Sequence, residues 1–184
     1  MEEHYNFTES VVGGAVPKNY FPAVEKGLQE AVLAGPLAAY PVVGLHANLY
    51  DGSYHPVDSS EMAFKVAAKG AFKDGIMKAN PILLEPIETL KVVVPDSYTG
   101  DVMGDLNKRR GRVMGMNALD NEKTEIEAEI PYAELYGYGT TLRSMTAGSG
   151  EYSYEFVRYE QTPHDVQEAE VAARAKQLEG EEEE

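Results

Sequence analysis

At 184 residues the chain can bury one core of ordinary size or two small ones, and its 43% apolar content supports either. A surplus of 31 acidic over 16 basic side chains leaves a net charge of −15, which argues against broad nonspecific binding to nucleic acid and against DNA as a partner. With no cysteine, disulfides, thiolate nucleophiles and cysteine-ligated zinc are excluded.

The opening Met1-Glu2-Glu3-His4-Tyr5-Asn6 lacks the basic and apolar regions of a secretory signal. No run approaches the ~20 apolar residues of a membrane span, so a soluble, cytoplasmic protein with no membrane partner is expected. Val11-Val12-Gly13-Gly14-Ala15-Val16-Pro17 is a short apolar segment broken by two glycines, either a strand end or a close backbone approach. Pro22 suits the first turn of a helix in which Phe21, Val24, Leu28, Ala31 and Val32 recur at three- and four-residue spacing, and Gly35-Pro36 ends it. Residues 42–50 then switch to period two, with Val43, Leu45, Ala47 and Leu49 on one face of a strand and Gly44, His46 and Asn48 on the other. His46 is expected to face solvent or to be hydrogen-bonded, since no cluster at metal-ligand spacing accompanies it.

The chain is organised around residues 49–61, which join that strand to a long helix. Asp51-Gly52 is a turn dipeptide that favours a glycine with φ > 0, and His55-Pro56 biases the histidine toward extended backbone. Asp58 or Ser59 is the predicted helix cap, with Glu61 three residues after Asp58. In the helix, Phe64, Ala68, Ala71, Phe72, Gly75 and Ile76 form an apolar stripe, and Lys65, Lys69 and Lys73 a basic row.

Asn80-Pro81 and Glu85-Pro86 mark a domain boundary. Beyond it Leu90, Val92 and Val94 make a strand ended by Pro95. Thr99 is the predicted cap of a helix with Val102, Met103 and Leu106, closed by Lys108-Arg109-Arg110-Gly111. Together with Arg112 this is more positive charge than capping needs, so a phosphate-facing role competes with helix-end electrostatics. Two strands around an Asp120-Asn121 turn, a short helix carrying Leu142 and Met145, and an alternating Tyr152, Tyr154, Phe156 strand complete the unit. The order strand, helix, strand, strand, helix, strand is that of a ferredoxin-like βαββαβ sandwich, which places the chain in the α+β class. From His164 onward a helix is expected to fray into an acidic tail, residues 164–184 holding eight acidic groups and two basic ones.

These stretches resemble the fourth and fifth domains of bacterial elongation factor G, the translocation GTPase. The likeness runs through roughly residues 10–163. In the first half it rests on Val11-Val12-Gly13-Gly14, Gly35-Pro36-Leu37, Tyr50-Asp51-Gly52-Ser53-Tyr54-His55 and Val57-Asp58-Ser59-Ser60-Glu61. In the second half it continues through Leu84-Glu85-Pro86-Ile87, Gly100-Asp101-Val102, Gly104-Asp105-Leu106-Asn107 and Arg109-Arg110-Gly111. It implies a domain over residues 1–80 like the second domain of ribosomal protein S5, with a left-handed crossover. That domain is expected to be truncated, because the family's N-terminal strands and a second tip loop are missing. Residues 81–163 are then the ferredoxin-like domain, and 164–184 a C-terminal helix and acidic tail.

The resemblance also implies partners: the ribosome, its RNA, and transfer RNA with messenger in the decoding centre. Asp51, Gly52, Ser53, Tyr54, His55 and Pro56 are the implied decoding-centre contacts, and Lys108, Arg109 and Arg110 the implied ribosome contacts. No Gly-Lys dipeptide of a GTPase phosphate loop occurs, so GTP and magnesium are expected in a separate GTPase domain of the parent, with no catalytic residue and no cofactor in this chain. Thr146-Ala147-Gly148-Ser149-Gly150 departs from the family's Gln-Gly-Arg-Gly after the threonine, which leaves open a paralogue of the main translocase; a ribosome-protection factor of the same superfamily is a further alternative, and it should carry a different tip loop in place of Asp51 to His55. Two readings from other classes are a small-molecule kinase on an S5-like fold, with Gly148-Ser149-Gly150 as its phosphate loop, and a free-standing interaction module.

Overall fold

The computed structural model describes residues 5–182; the opening Met1 to His4 and the last two glutamates of the acidic run lie outside the described residues. The chain divides into two units, Met1–Ile82 with Pro163–Glu184, and Leu83–Thr162.

In the first unit, β1 (Tyr5–Glu9) pairs in parallel with β2 (Leu45–Leu49), Phe7 standing opposite Ala47. Between them run a turn in which Gly13 and Gly14 both take positive φ and the helix α1 (Phe21–Ala31). The glycine pair therefore makes a reversal, not a strand end. α1 ends as expected near Gly35-Pro36, with Val32 at its C-cap. β2 begins at Leu45 because Gly44, at φ 69°, breaks the extended run before it. Leu45, Ala47 and Leu49 turn inward while His46 and Asn48 are exposed. α2 (Glu61–Ile76) packs along α1, and Gly27 of α1 sits where a Cβ would come within 2.6 Å of the Lys65 carbonyl. The apolar stripe of α2 lines a cavity of about 570 Å³ together with Phe7, Val24, Leu28 and the inner face of β2. The basic row is the outer side of the same packing: Lys65 and Lys69 clamp Glu30 of α1 at 2.5 and 2.6 Å, which holds that carboxyl at about 2.

The second unit contains β3 (Leu84–Pro95), α3 (Thr99–Lys108), β4 (Arg112–Leu119), β5 (Lys123–Pro131), α4 (Tyr138–Met145) and β6 (Glu151–Gln161). The strands form one antiparallel sheet in the order β4-β5-β3-β6, the ferredoxin-like arrangement. Leu90, Val92 and Val94 of β3 and Ile126, Ala128 and Ile130 of β5 meet Val102 and Leu106 of α3 and Tyr138 and Leu142 of α4 in a core excluded from solvent. The β4–β5 hairpin closes with Asn121 and Glu122 at positive φ. Thr99 does not cap α3: the helix grows out of a one-turn 3-10 segment at Asp96–Tyr98, and the Thr99 hydroxyl is buried without a partner.

The last helix, α5 (His164–Glu182), groups with the first unit and extends to the second glutamate of the acidic run. Tyr40 donates a 2.6 Å hydrogen bond to Glu170, and the Arg174 guanidinium lies 5.8 Å from the centre of the Tyr40 ring.

Candidate nucleic-acid interface

After β2 the chain leaves the sheet, and residues 51–58 are all exposed. What shapes this loop is local. The His55 amide donates to Ser59 Oγ and the Ser59 amide donates to the His55 carbonyl, both at 2.9 Å, which closes the turn through Pro56, Val57 and Asp58. Ser60, in extended backbone, accepts from the Ala63 amide at 3.0 Å and is the cap of α2. The predicted cap, Asp58 or Ser59, is thus displaced by one residue, because Ser59 is already committed to holding His55. Asp51 accepts from the Gly52 amide at 2.8 Å. Gly52 does not take positive φ; it is small because a Cβ there would stand 2.5 Å from Cγ2 of buried Val16.

Tyr54 tilts over Tyr20 at 5.7 Å between ring centres, and Tyr20 stacks on Phe64 at 4.5 Å. This ladder braces the loop from below, and sequence pattern alone did not single out Tyr20. His55, Pro56 and Val57 stand beyond it in solvent. The loop offers an imidazole, a hydroxyl at Ser53, a carboxylate and exposed main chain, groups that stack on bases and hydrogen-bond to base edges or 2′-hydroxyls. His46 is remote from this work and pairs with Thr8 Oγ1 at 2.9 Å on the outer face of β2.

The basic cluster is arranged differently from its expected phosphate-facing role. Arg109 donates to Asp105 (2.9 Å), the Glu134 carbonyl (2.6 Å), the Tyr136 carbonyl (3.3 Å) and Thr141 Oγ1 (3.0 Å), and lies over the Tyr138 ring. Arg110 makes a bidentate pair with Glu85, both bonds 2.8 Å, and a third bond to Glu134 at 3.0 Å. Glu85 above all, with Glu134, raises the Arg110 guanidinium further above its ordinary range. Arg112 reaches Glu129, which Arg158 also grips at 2.8 and 2.9 Å. These guanidiniums are therefore engaged by partners within the unit, Arg112 on its surface, and of the four basic side chains in residues 108–112 only Lys108 has no ion pair among the described residues.

Gly148-Ser149-Gly150 follows the C-terminus of α4. The Gly148 amide, at φ 83°, donates to the Arg143 carbonyl, and the Ser149 amide to Thr146. This is a helix stop, not a phosphate loop opening a helix, and the kinase reading loses its only support. Among the described residues no group of three or more His, Asp or Glu is disposed to hold a metal ion.

Residues 1–80 match the family model for elongation factor G, domain IV, and residues 82–170 match that for the elongation factor G C-terminus. The chain belongs to the elongation factor G family. A solved structure from Thermus thermophilus is 43% identical, superposes with a TM-score of 0.80, and is matched over 94% of this chain and 26% of its own. The chain thus spans about a quarter of the length of that relative. The first eighty residues thus correspond to the family's domain IV, and the ferredoxin-like unit lies within the match to its C-terminal model.

Proposed function

We propose that the chain acts on the ribosome as the reaching part of a translocation factor, with residues 51–56 entering the decoding centre. The observation that carries this reading is the loop itself: wholly exposed at its end, yet fixed at its base by the His55–Ser59 lock, the Ser60 cap and the Tyr54–Tyr20–Phe64 ladder. A loop that must enter an RNA-lined space and hold position there needs its ordering entropy lost before binding, and these bonds do that. His55 then meets transfer RNA or messenger, and the loop works as a wedge that blocks return of the transfer RNA. No proton transfer or covalent step is assigned to it. GTP and magnesium are bound by a separate GTPase domain of the parent, in the cytoplasm. In the basic cluster, the direct contact with ribosomal RNA falls to Lys108, while Arg109 and Arg110 hold the surface that presents it.

The test is His55→Ala in the full-length factor. Translocation should slow while ribosome-stimulated GTP turnover stays nearly intact, and equal loss of both would sink the assignment.

A further inference from the structure

β6 is the terminal strand of its sheet, and one of its backbone edges has no strand partner among the described residues. The other terminal strand, β4, is protected by a bulge between Val113 and Gly115. β6 has no such break over residues 151–156; its irregularity comes later, where Val157 falls out of register between Phe156 and Arg158. The straight portion is about 20 Å long at ~3.3 Å per residue, and every residue in it is exposed.

Its two faces carry opposite chemistry. On the helix side Tyr152, Tyr154 and Phe156 lie in register with Val92, Leu90 and Glu88 but overhang the core, and remain 40%, 48% and 51% exposed. Tyr152 and Tyr154 stack with rings 13° apart, Tyr138 props Tyr152 from beneath, and Tyr132 extends the shelf beside Tyr154. On the open side stand Glu151, Ser153 and Glu155. Neither glutamate has an ion pair among the described residues, and Lys91, in register with Ser153 between them, is paired with Glu127.

We propose that this edge takes an extended, lysine- or arginine-bearing polypeptide segment as an added strand. Main-chain hydrogen bonds to β6 would supply affinity. Alternate side chains would sort by face, basic groups onto Glu151 and Glu155 and apolar or cationic ones onto the tyrosine shelf. The two unpaired carboxylates favour a basic protein segment over single-stranded RNA, whose phosphates they repel although the tyrosines could stack its bases. The inference does not depend on the role given to residues 51–56.

The probe is a fluorescein-labelled peptide of alternating lysine and valine, titrated against the full chain at physiological ionic strength, with amide shifts followed by NMR. Saturable binding is expected, with shifts confined to β6 and its neighbours. It should weaken about tenfold or more when alternate peptide amides are N-methylated, and similarly with the exposed-site variants Tyr154→Ala and Glu151→Lys/Glu155→Lys, whose folding circular dichroism checks. No saturable binding, equal affinity for the N-methylated peptide, or shifts spread over the acidic face of α5 would overturn the proposal. So would tighter binding of oligouridylate than of the peptide at the same tyrosines.

Discussion

A single arginine shows how far the role of a residue can lie from its neighbourhood in sequence. Arg109 sits at the end of α3, where a cation offsets the helix dipole, yet its main work is to hold the Glu134 and Tyr136 carbonyls and Thr141. Arg109→Ala would leave those acceptors unsatisfied in a partly buried setting, at a cost of about 2 to 3 kcal/mol. Lysine should recover only part, because it lacks the planar fork. Urea unfolding of the variants checks both statements. Lys108→Glu should cost no more than about 1 kcal/mol, through the dipole of α3, and should reduce the salt dependence of ribosome cosedimentation; an unchanged slope would remove Lys108 from the interface. Glu88 is a residue-scale case of the opposite kind. It is buried beside the core with no ion pair among the described residues, and desolvation raises its carboxyl above the ordinary value. A raised folded-state value means that the ionised form opposes folding. Glu88→Gln should therefore stabilise the domain at neutral pH, and the gain should vanish once the pH falls below the ordinary carboxylate range.

At the scale of the element, the start of α2 is both a helix end and the floor of the exposed loop. Ser60→Ala removes the only side-chain acceptor at that N-terminus and should cost about 1 kcal/mol by thermal unfolding. Ser59→Ala should cost less in stability but speed hydrogen exchange at the His55 amide, whose acceptor it deletes. If exchange there is unaltered, the loop is held by the Ser59 amide, the Ser60 cap and the aromatic base without need of the hydroxyl. Elements with a strong local period were legible in sequence: α1, β2, α2 and all six of the ferredoxin-like unit follow from apolar spacing, turn residues and stops. β1 was not, since Tyr-Asn-Phe-Thr-Glu carries two apolar residues and gains its place only through parallel pairing with β2, forty residues away. The same reason hid the partners of Arg110, because Glu85 and Glu134 approach it only once β3 and the turn after β5 are in place. The loop at 51–56 was legible as a loop; its bracing by Tyr20 and the close approach of Gly52 to Val16 depend on packing that no local pattern encodes.

For the molecule as a whole, the two units differ in how well each is filled. The ferredoxin-like unit buries ten side chains in one continuous core at no more than 1% exposure. The first unit has a two-stranded sheet of five-residue strands and a cavity of about 570 Å³ lined by Phe7, Leu28, Phe64 and Phe72. That space is open to solvent and its lining side chains are only half-buried, so less apolar surface is withdrawn from water here and this unit has the smaller margin. Urea unfolding followed by residue-resolved hydrogen exchange should lose protection in α1 and α2 at lower denaturant than in β3 and β5; coincident loss would contradict this ranking. Acid separates the units in the same experiment. Glu129 of the second unit is held at about 2, chiefly by Arg158 and then by Arg112, below the ordinary 4.5. Its folded-state value is depressed, so the stability it confers is full above the ordinary value and drains away as the pH falls from about 5 to 2. Glu129→Gln should flatten that loss for β3 and β5 protection while leaving α1 and α2 to follow their own carboxylate, Glu30, through the same window. A Glu129→Gln effect of equal size in both units would mean that they unfold as one.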